Sequence, residues 1–454
     1  MSKKGKRYVC SECEYETPIF YGKCPSCGAW SSLEEKIDLS NTKIAGKKAS
    51  AKKLTDIETS VNDRIITNIS EFNRVMGGGI VKDSISILSA VPGAGKSTLL
   101  LQVADDIAKK GLNVLYASGE ESASQIKKRA ERILSGISEN IWILSTNSLD
   151  DVIHNIEDTD PELIIIDSIQ TFTLAEFPNS RAGTPTQTME CANKMMEVAK
   201  SGKKKRAVIL VGQMTKEDII AGVRALEHLV DTVLIIEGES GEELRLLSAT
   251  KNRYGSTGEM GFFKMTEKGM ESIDNPSEYF VTDRDGEKPV EGSAITVVRE
   301  GTRPIILEIE SLVSRSFTPY PSRVSECMGR DQLGTIISII EQRAFTNLYD
   351  KNVVIKTTGG IKLQEQASNL AVIMSIISSV KGKPISSKIA FVADVGLTGE
   401  LKKVPALETR IKELDRIGFK KVYVTKGSAK GIKTKNIEVV EKEKVLDCVK
   451  DLFE

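Results

Sequence analysis

The strongest constraint on this chain is a strand, a glycine-rich loop and a helix in direct succession. The apolar run Ile85-Ser86-Ile87-Leu88 leads into Ala90-Val91-Pro92-Gly93-Ala94-Gly95-Lys96-Ser97-Thr98, and the segment from Ser97 to Lys110 reads as a helix. A loop of this kind turns several backbone N–H groups inward on phosphates, and the helix N-terminus adds a partial positive charge. Lys96 is placed to reach the β- and γ-phosphates, and the Ser97 hydroxyl to ligate magnesium. One position departs from the usual pattern: Ala90 stands where such a loop opens with glycine. If the backbone there needs positive φ, alanine costs roughly 1–2 kcal/mol. Residues 90–98 are nonetheless expected to hold a nucleotide.

Around this unit the chain alternates apolar strands with amphipathic helices. Strands are expected at 84–89, 113–117, 162–166, 207–212 and 231–236, and helices at 97–110, 122–135, 148–157 and 187–200. That alternation predicts an α/β domain over 61–275, with a mostly parallel sheet covered on both faces. At 454 residues the chain exceeds one compact domain. Its 63 basic and 63 acidic side chains cancel, so any surface for a polyanion must be local. No apolar run approaches the roughly 20 residues of a membrane span, and the basic N-terminus lacks an apolar signal core. A cytoplasmic protein with no membrane partner is the expectation, and its seven cysteines are then not a disulfide framework.

Four of those cysteines fall in the first 27 residues, as Cys10-x-x-Cys13 and Cys24-x-x-Cys27. Two such pairs suit tetrahedral zinc held by four thiolates, with Gly22 and Gly28 permitting the turns. The metal would fold a module, residues 1–35, that is too small to build a core, and a docking role remains open. Cys191, Cys327 and Cys448 read as buried, inert thiols. Residues 36–60 are a linker whose Lys43, Lys47, Lys48, Lys52 and Lys53 form either a solvated tether or a phosphate contact.

Three strand ends in the α/β domain carry further chemistry. Leu163-Ile164-Ile165-Ile166-Asp167 ends in a carboxylate where phosphate-loop enzymes hold the magnesium shell, although a capping Asp would look the same. Ser118-Gly119-Glu120-Glu121 ends another strand in two carboxylates, either to polarise an attacking water or to enrich a helix N-terminus in acid. Gln213 closes a third and could sense the state of the phosphate. The run Lys200 to Arg206 reads as a solvated loop. A second α/β domain is expected over 276–454, with strands at 293–299, 305–313, 352–357, 388–394 and 421–424. Its helices are expected at 331–344, 366–380 and 405–416. Between 410 and 435 it holds nine basic residues against two acids, a solvated face or a DNA-facing patch.

The most specific string is Lys251-Asn252-Arg253-Tyr254-Gly255, which resembles the KNRFG motif of the bacterial RadA (Sms) DNA repair family with Tyr for Phe. Nearly the whole chain shares the likeness. The cysteine pairs look like the family's zinc finger. Gly77-Gly78-Gly79, the phosphate loop, Ser118 to Ser122, Asp167-Ser168-Ile169-Gln170-Thr171 and Leu226 to Val233 look like its RecA-like core. Gly396-Leu397-Thr398-Gly399-Glu400-Leu401 looks like its C-terminal domain, similar to the proteolytic domain of Lon. The resemblance implies a hexameric, ATP-driven motor on single-stranded and branched DNA, like DnaB-type helicases, acting with the RecA recombinase. It implies ATP, Mg²⁺ and Zn²⁺ as cofactors. Carried over by position, Lys96 and Ser97 hold phosphate and magnesium, Asp167 is the Walker B carboxylate, Glu120 the base and Gln213 the γ-phosphate sensor. Lys251 and Arg253 would reach the neighbouring subunit's nucleotide, and Arg181, Lys216 and Arg224 are candidates for DNA contact. The Ser–Lys pair of the protease is missing: Ala367 stands at the Ser position, beside Ser368, and Arg410 at the Lys position. A guanidinium stays protonated and cannot act as base, so this domain is expected to be proteolytically inactive.

Overall fold

The computed structural model describes residues 8–17, 19–30, 32–35, 53–56, 64–201, 204–213, 222–238, 241–282 and 289–454. They divide into two compact units, Met1–Ser60 and Val61–Glu454. The first contains a three-stranded antiparallel sheet in the order Glu16–Thr17, Tyr8–Cys10, Leu33–Glu35. Among the described residues its buried cluster is Cys10, Cys24 and Leu33 with Tyr8 against it, too little apolar area by itself to offset the entropy of ordering them.

The second unit is built on a nine-stranded and a seven-stranded sheet. In the nine-stranded sheet six parallel strands run in the order Thr232–Glu237, Ile85–Ala90, Ala207–Gln213, Leu163–Asp167, Val114–Ser118, Ile141–Ser145. Leu244–Asn252, Met260–Thr266 and Gly269–Ser272 extend it antiparallel beyond Thr232–Glu237. The strands are apolar almost throughout because helices cover both faces. Leu163 and Ile165 pack with Leu99, Leu100 and Val103 of the helix Lys96–Ala108. Ile164 and Ile166 pack the other way, with Val152 and Ile156 of Leu149–Thr159 and with Cys191 and Met195 of Pro185–Ser201. The α/β architecture with a mostly parallel sheet is thus as the alternation predicts.

Elements that the sequence did not announce lie mostly at sheet edges. Ile141–Ser145 is a half-buried edge strand, and Met260–Thr266 and Gly269–Ser272 form the far antiparallel edge. In the seven-stranded sheet the order is Arg323–Ser325, Lys351–Thr357, Arg303–Arg315, Ser293–Glu300, Ile389–Val392, Lys421–Thr425, Glu438–Lys442, and both edge strands were missed. So was the helix Val445–Phe453, which buries Val445, Cys448 and Val449. The helix Asn369–Lys381 runs through the core of this half, buried from Asn369 to Ser378.

The two sheets share contacts. Glu71, on the helix Ser70–Val75, is 1% exposed; it accepts from Arg303 Nη1 at 2.9 Å and from the Phe262 N–H at 3.0 Å. Phe262 in turn meets Phe280 edge-on, with ring centroids 5.7 Å apart. Among the described residues no helix is long and apolar enough to cross a membrane.

Candidate nucleotide site and metal centre

The phosphate loop leaves the sheet at Ala90, the last residue of its strand. Ala90 does not adopt positive φ; Gly93 (φ 80°) and Gly95 (φ 104°) do. The condition under which alanine would be strained is therefore absent, and the two left-handed turns fall on glycines, which carry no Cβ penalty. Gly95 also has no room for a side chain, since a Cβ would lie 2.4 Å from Met265 Cε. It caps the helix Lys96–Ala108, whose first amides face the loop. Lys96 Nζ donates to Ala90 O at 2.9 Å. Burial lowers the Lys96 pKa, and the charges of Asp167 and Glu120 partly oppose that shift.

Four strands deliver their last residues to the same edge: Ser118 lies opposite Asp167, and Gln213 opposite Ala90. Ligands of open parallel sheets bind at this carboxyl edge. Asp167 Oδ2 accepts from Ser97 Oγ at 2.8 Å and from the Tyr116 hydroxyl at 2.5 Å. Burial raises the Asp167 pKa despite those two donors, and burial together with Asp167 pushes the Tyr116 phenol well above its ordinary value. Tyr116 was not read from the sequence; an aromatic inside Val114-Leu115-Tyr116-Ala117, two residues before the strand end, is the only local sign. Glu120 Oε1 accepts from Ser168 Oγ at 2.6 Å and Gln213 Nε2 at 2.7 Å. Glu121 is tied to Arg129 through both its oxygens, at 2.7 Å on Oε2. Of the two adjacent carboxylates, Glu120 is thus the one joined to the strand ends. Lys96, Ser97, Glu120, Asp167 and Gln213 are brought together, with Tyr116 and Ser168 as additions.

Lys251 and Arg253 are not in this group. Their strand runs antiparallel to Thr232–Glu237, so Lys251 lies opposite Val233 and Asn252 opposite Thr232, near the amino end of the phosphate-loop strand. Arg253 Nη1 donates to Asp231 Oδ1 at 3.0 Å, and Asp231 Oδ2 accepts the Ile85 N–H at 3.1 Å. Lys251 Nζ donates to Glu227 O. Burial and the Arg253 charge lower the Lys251 pKa. Asn252 turns inward to donate to Val75 O at 3.2 Å, while Arg64 Nη2 donates to Tyr254 O at 2.6 Å. A Cβ on Gly77 would meet the Gly255 Cα at 2.9 Å. The motif is therefore fixed by its Asn, Tyr and Gly against the glycine turn.

Of the candidates for DNA contact, Arg181 is exposed in the turn-rich stretch before the helix Pro185–Ser201. Lys216 lies outside the described residues, as does the Arg224 side chain; the linker lysines lie outside too, except Lys53. The basic run before Ala207 is largely spent on its own chain: Lys200 on Asp231, Lys204 on Asp160 and Glu162, Arg206 on Asp160. The 410–435 patch needs a correction, because Arg410 is fully buried. Arg410 Nη2 donates to Glu365 Oε2 at 2.6 Å and Nε to Pro405 O at 3.2 Å, with a further bond to Val297 O. The amphipathic period of the helix Leu407–Ile417 turns Arg410 inward beside Leu407, Ile411 and Leu414. Ser368 is buried as well, its hydroxyl donating to Glu365 O at 2.9 Å.

In the N-terminal unit the sulfurs of Cys10, Cys13, Cys24 and Cys27 all lie within 4.8 Å of one another. Cys10 to Cys27 is 3.6 Å and Cys13 to Cys24 3.7 Å, the edge of a tetrahedron with metal–sulfur bonds of about 2.3 Å. The donor set and spacing fit zinc. Ser32 Oγ, 3.2 Å from Cys10 Sγ, brings that thiol down to about 6. In the second knuckle Gly28 takes positive φ and donates to Cys24 O at 2.9 Å. In the first the same place is held by Glu14 (φ 58°), which donates to Cys10 O at 2.9 Å. Gly22 keeps negative φ, so the expectation that it enables a knuckle is corrected.

Comparison with known proteins agrees with this layout. A family described as AAA domain matches residues 49–218, and one described as Rubredoxin metal binding domain matches 8–35. The chain thus carries an ATPase domain and a zinc-binding module. The DNA repair protein RadA of Streptococcus pyogenes is 41% identical over 460 residues, covering 100% of both chains. The protein of that name from Bacillus subtilis is 38% identical over 99% of both. The one from Listeria monocytogenes is 38% identical over 99% of this chain and 98% of its own. With likeness of this degree from end to end, the chain belongs to the RadA family of DNA repair proteins.

Proposed function

We propose that the chain is a DNA-dependent ATPase that works as a hexameric, DnaB-type helicase or translocase on single-stranded and branched DNA in homologous recombination. It promotes branch migration with RecA in the repair of damaged DNA in the bacterial cytoplasm. Its parts are the zinc finger 1–35, the linker 36–60, the motor 61–275 and a Lon-protease-like body 276–454 without protease chemistry.

The observation that carries this reading is the placing of Lys251 and Arg253. They sit at the opposite end of the sheet from Lys96, some four residues or roughly 13 Å along the strands. The strand that carries them is paired on both sides, which holds them at that distance from the phosphate loop of their own chain. In a head-to-tail ring the same end faces the neighbour's phosphate edge, where a cation stabilises charge on the transferring phosphoryl group.

Within one subunit the loop amides of 91–98 and Lys96 hold the triphosphate. Ser97 and Asp167 would hold a magnesium ion, which would neutralise phosphate charge. Glu120 takes a proton from the attacking water, and Gln213, bonded to the same Glu120 oxygen as Ser168, reports the γ-phosphate. DNA passes the loops after Leu163–Asp167 and Ala207–Gln213, with Arg181, Lys216 and Arg224 as its contacts. At Ser368 a buried, bonded hydroxyl, with a buried Arg410 paired to Glu365 in place of lysine, gives no nucleophile and base. The test is ATP turnover with and without single-stranded DNA, in wild type and Lys96→Ala. Stimulation that disappears with Lys96 is expected; turnover indifferent to DNA across salt concentrations would remove the motor.

A further inference from the structure

The strand Leu244–Asn252 has a second cationic end. Arg245 is 5% exposed and lies against the phosphate loop of its own chain. Its Nε donates to Ala94 O at 3.2 Å, and its Nη1 to the carbonyls of Glu242 and Leu244 at 2.7 and 2.8 Å. Gly238 leaves it room, since a Cβ there would come within 2.6 Å of Arg245 Cδ. Among the described residues no carboxylate forms an ion pair with Arg245. The guanidinium is held by backbone carbonyls instead. Its place behind the Gly93-Ala94-Gly95 turn is where it fixes the carbonyl side of a loop whose amides serve the phosphates.

From Arg245 the strand runs six residues to Lys251, about 20 Å at the rise of an antiparallel strand. Both its neighbours pair with it, and the ladder is regular from Leu246 to Ala249 on the side of Thr232–Glu237. The register shifts only beyond Ala249, between the partners Val233 and Leu234, just before Lys251. A bulge re-aims the residues that follow it.

We infer that Arg245 is a positioning residue for the phosphate loop, and that the strand Leu244–Asn252 couples successive nucleotide sites. One end holds its own loop and the other contacts the neighbour's nucleotide. The inference rests on the trans placement of Lys251 and Arg253 proposed above. Occupancy of the neighbour's site draws on Lys251 and Arg253, and the paired strand passes that pull to Arg245, which alters the affinity of the loop. Linkage makes that effect reciprocal.

The experiment is steady-state hydrolysis over an ATP titration with saturating single-stranded DNA, with thermal melting and ring size measured in parallel. Wild type is expected to be cooperative, with a Hill coefficient above 1. Arg245→Lys keeps the charge but loses the planar fork. It should bring the coefficient to 1 and raise the half-saturating ATP concentration several-fold, while the melting temperature and ring size hold. Gly238→Ala, which displaces Arg245 without removing it, should do the same, and so covers the case in which Arg245→Lys does not fold. A wild-type coefficient of 1, or unchanged cooperativity in either folded variant, overturns the coupling. Lys251→Ala separates the two ideas. If it cripples turnover while Arg245→Lys leaves cooperativity intact, only the coupling fails; if it leaves turnover intact, the trans placement fails as well.

Discussion

Arg253 Nη1 lies 3.0 Å from Asp231 Oδ1, on a carboxylate that is fully buried and whose other oxygen holds the first amide of the phosphate-loop strand. That pair marks the amino end of the parallel strands, whereas Lys96 follows their carboxyl end. The cations of the KNRYG motif and the phosphate loop of the same chain thus lie toward different ends of the parallel strands.

Lys251→Ala and Arg253→Ala are therefore expected to hold ATP affinity within a few-fold and to lower turnover by about a hundredfold or more. Titration with a fluorescent ATP analogue, alongside steady-state hydrolysis, separates the two effects. Loss of binding in step with turnover would put these residues in cis. The stability of Arg253→Ala should change by no more than about 1 kcal/mol, because Arg253 is half exposed and Lys200 still pairs with Asp231 at 2.9 Å.

Glu120→Gln should bind ATP and hydrolyse it about 10²–10⁴-fold more slowly, the usual contribution of a general base. Ser168→Ala removes one of the two donors on Glu120 Oε1 and should cost several-fold in kcat with little change in KM. If Ser168→Ala instead raised KM alone, the hydroxyl would belong to nucleotide binding and not to the orientation of Glu120.

One zinc per chain is expected on metal analysis of purified protein. Cys13→Ala or Cys24→Ala should lose it together with the fold of the module, since Cys10, Cys24 and Leu33 form its buried apolar cluster among the described residues. The ATPase domain matches 49–218, outside the module, so basal hydrolysis should persist. Metal-free protein with a folded N-terminal unit would contradict the four-thiolate site.

The Glu300 carboxyl is raised to about 7 by burial first, then by Glu365 and Glu237 nearby. The folded chain thus holds that proton more tightly than the unfolded one. The contribution to stability is complete below the ordinary carboxylate value and is lost as pH rises through about 7. Thermal melting should fall between pH 5 and pH 8, and Glu300→Gln should flatten that slope. A slope unchanged in Glu300→Gln would assign it to other groups.

Arg410→Met should destabilise the C-terminal half by about 2–4 kcal/mol, by stranding the partly covered Glu365 carboxylate. Arg410→Met combined with Glu365→Gln should recover much of that loss. A denaturant-melting double-mutant cycle measures the coupling; additive effects would mean that the pair contributes nothing to stability.

Much of this protein is set by short stretches of sequence. Residues 85–98, the apolar strands that end at Asp167 and Gln213, and the two cysteine pairs all depend on neighbours within a few positions. Spacing alone fixes their backbone, and even the glycine missing at Ala90 proved to fall on ordinary strand geometry. The edge strands Ile141–Ser145 and Glu438–Lys442 were less legible, because strands flanked on one side need not be continuously apolar.

What only the tertiary structure decided are the meetings between distant segments. Tyr116 shares Asp167 with Ser97 across 51 and 70 positions of sequence, and Ser168 and Gln213 converge on Glu120. Arg410 left an apparent surface patch to pair, buried, with the partly covered Glu365, and Arg245 came to rest behind the phosphate loop. Sequence periodicity tells which side of an element is buried, but not what it is buried against. Strand order and direction supply that, and they placed the two ends of Leu244–Asn252 toward opposite ends of the parallel strands.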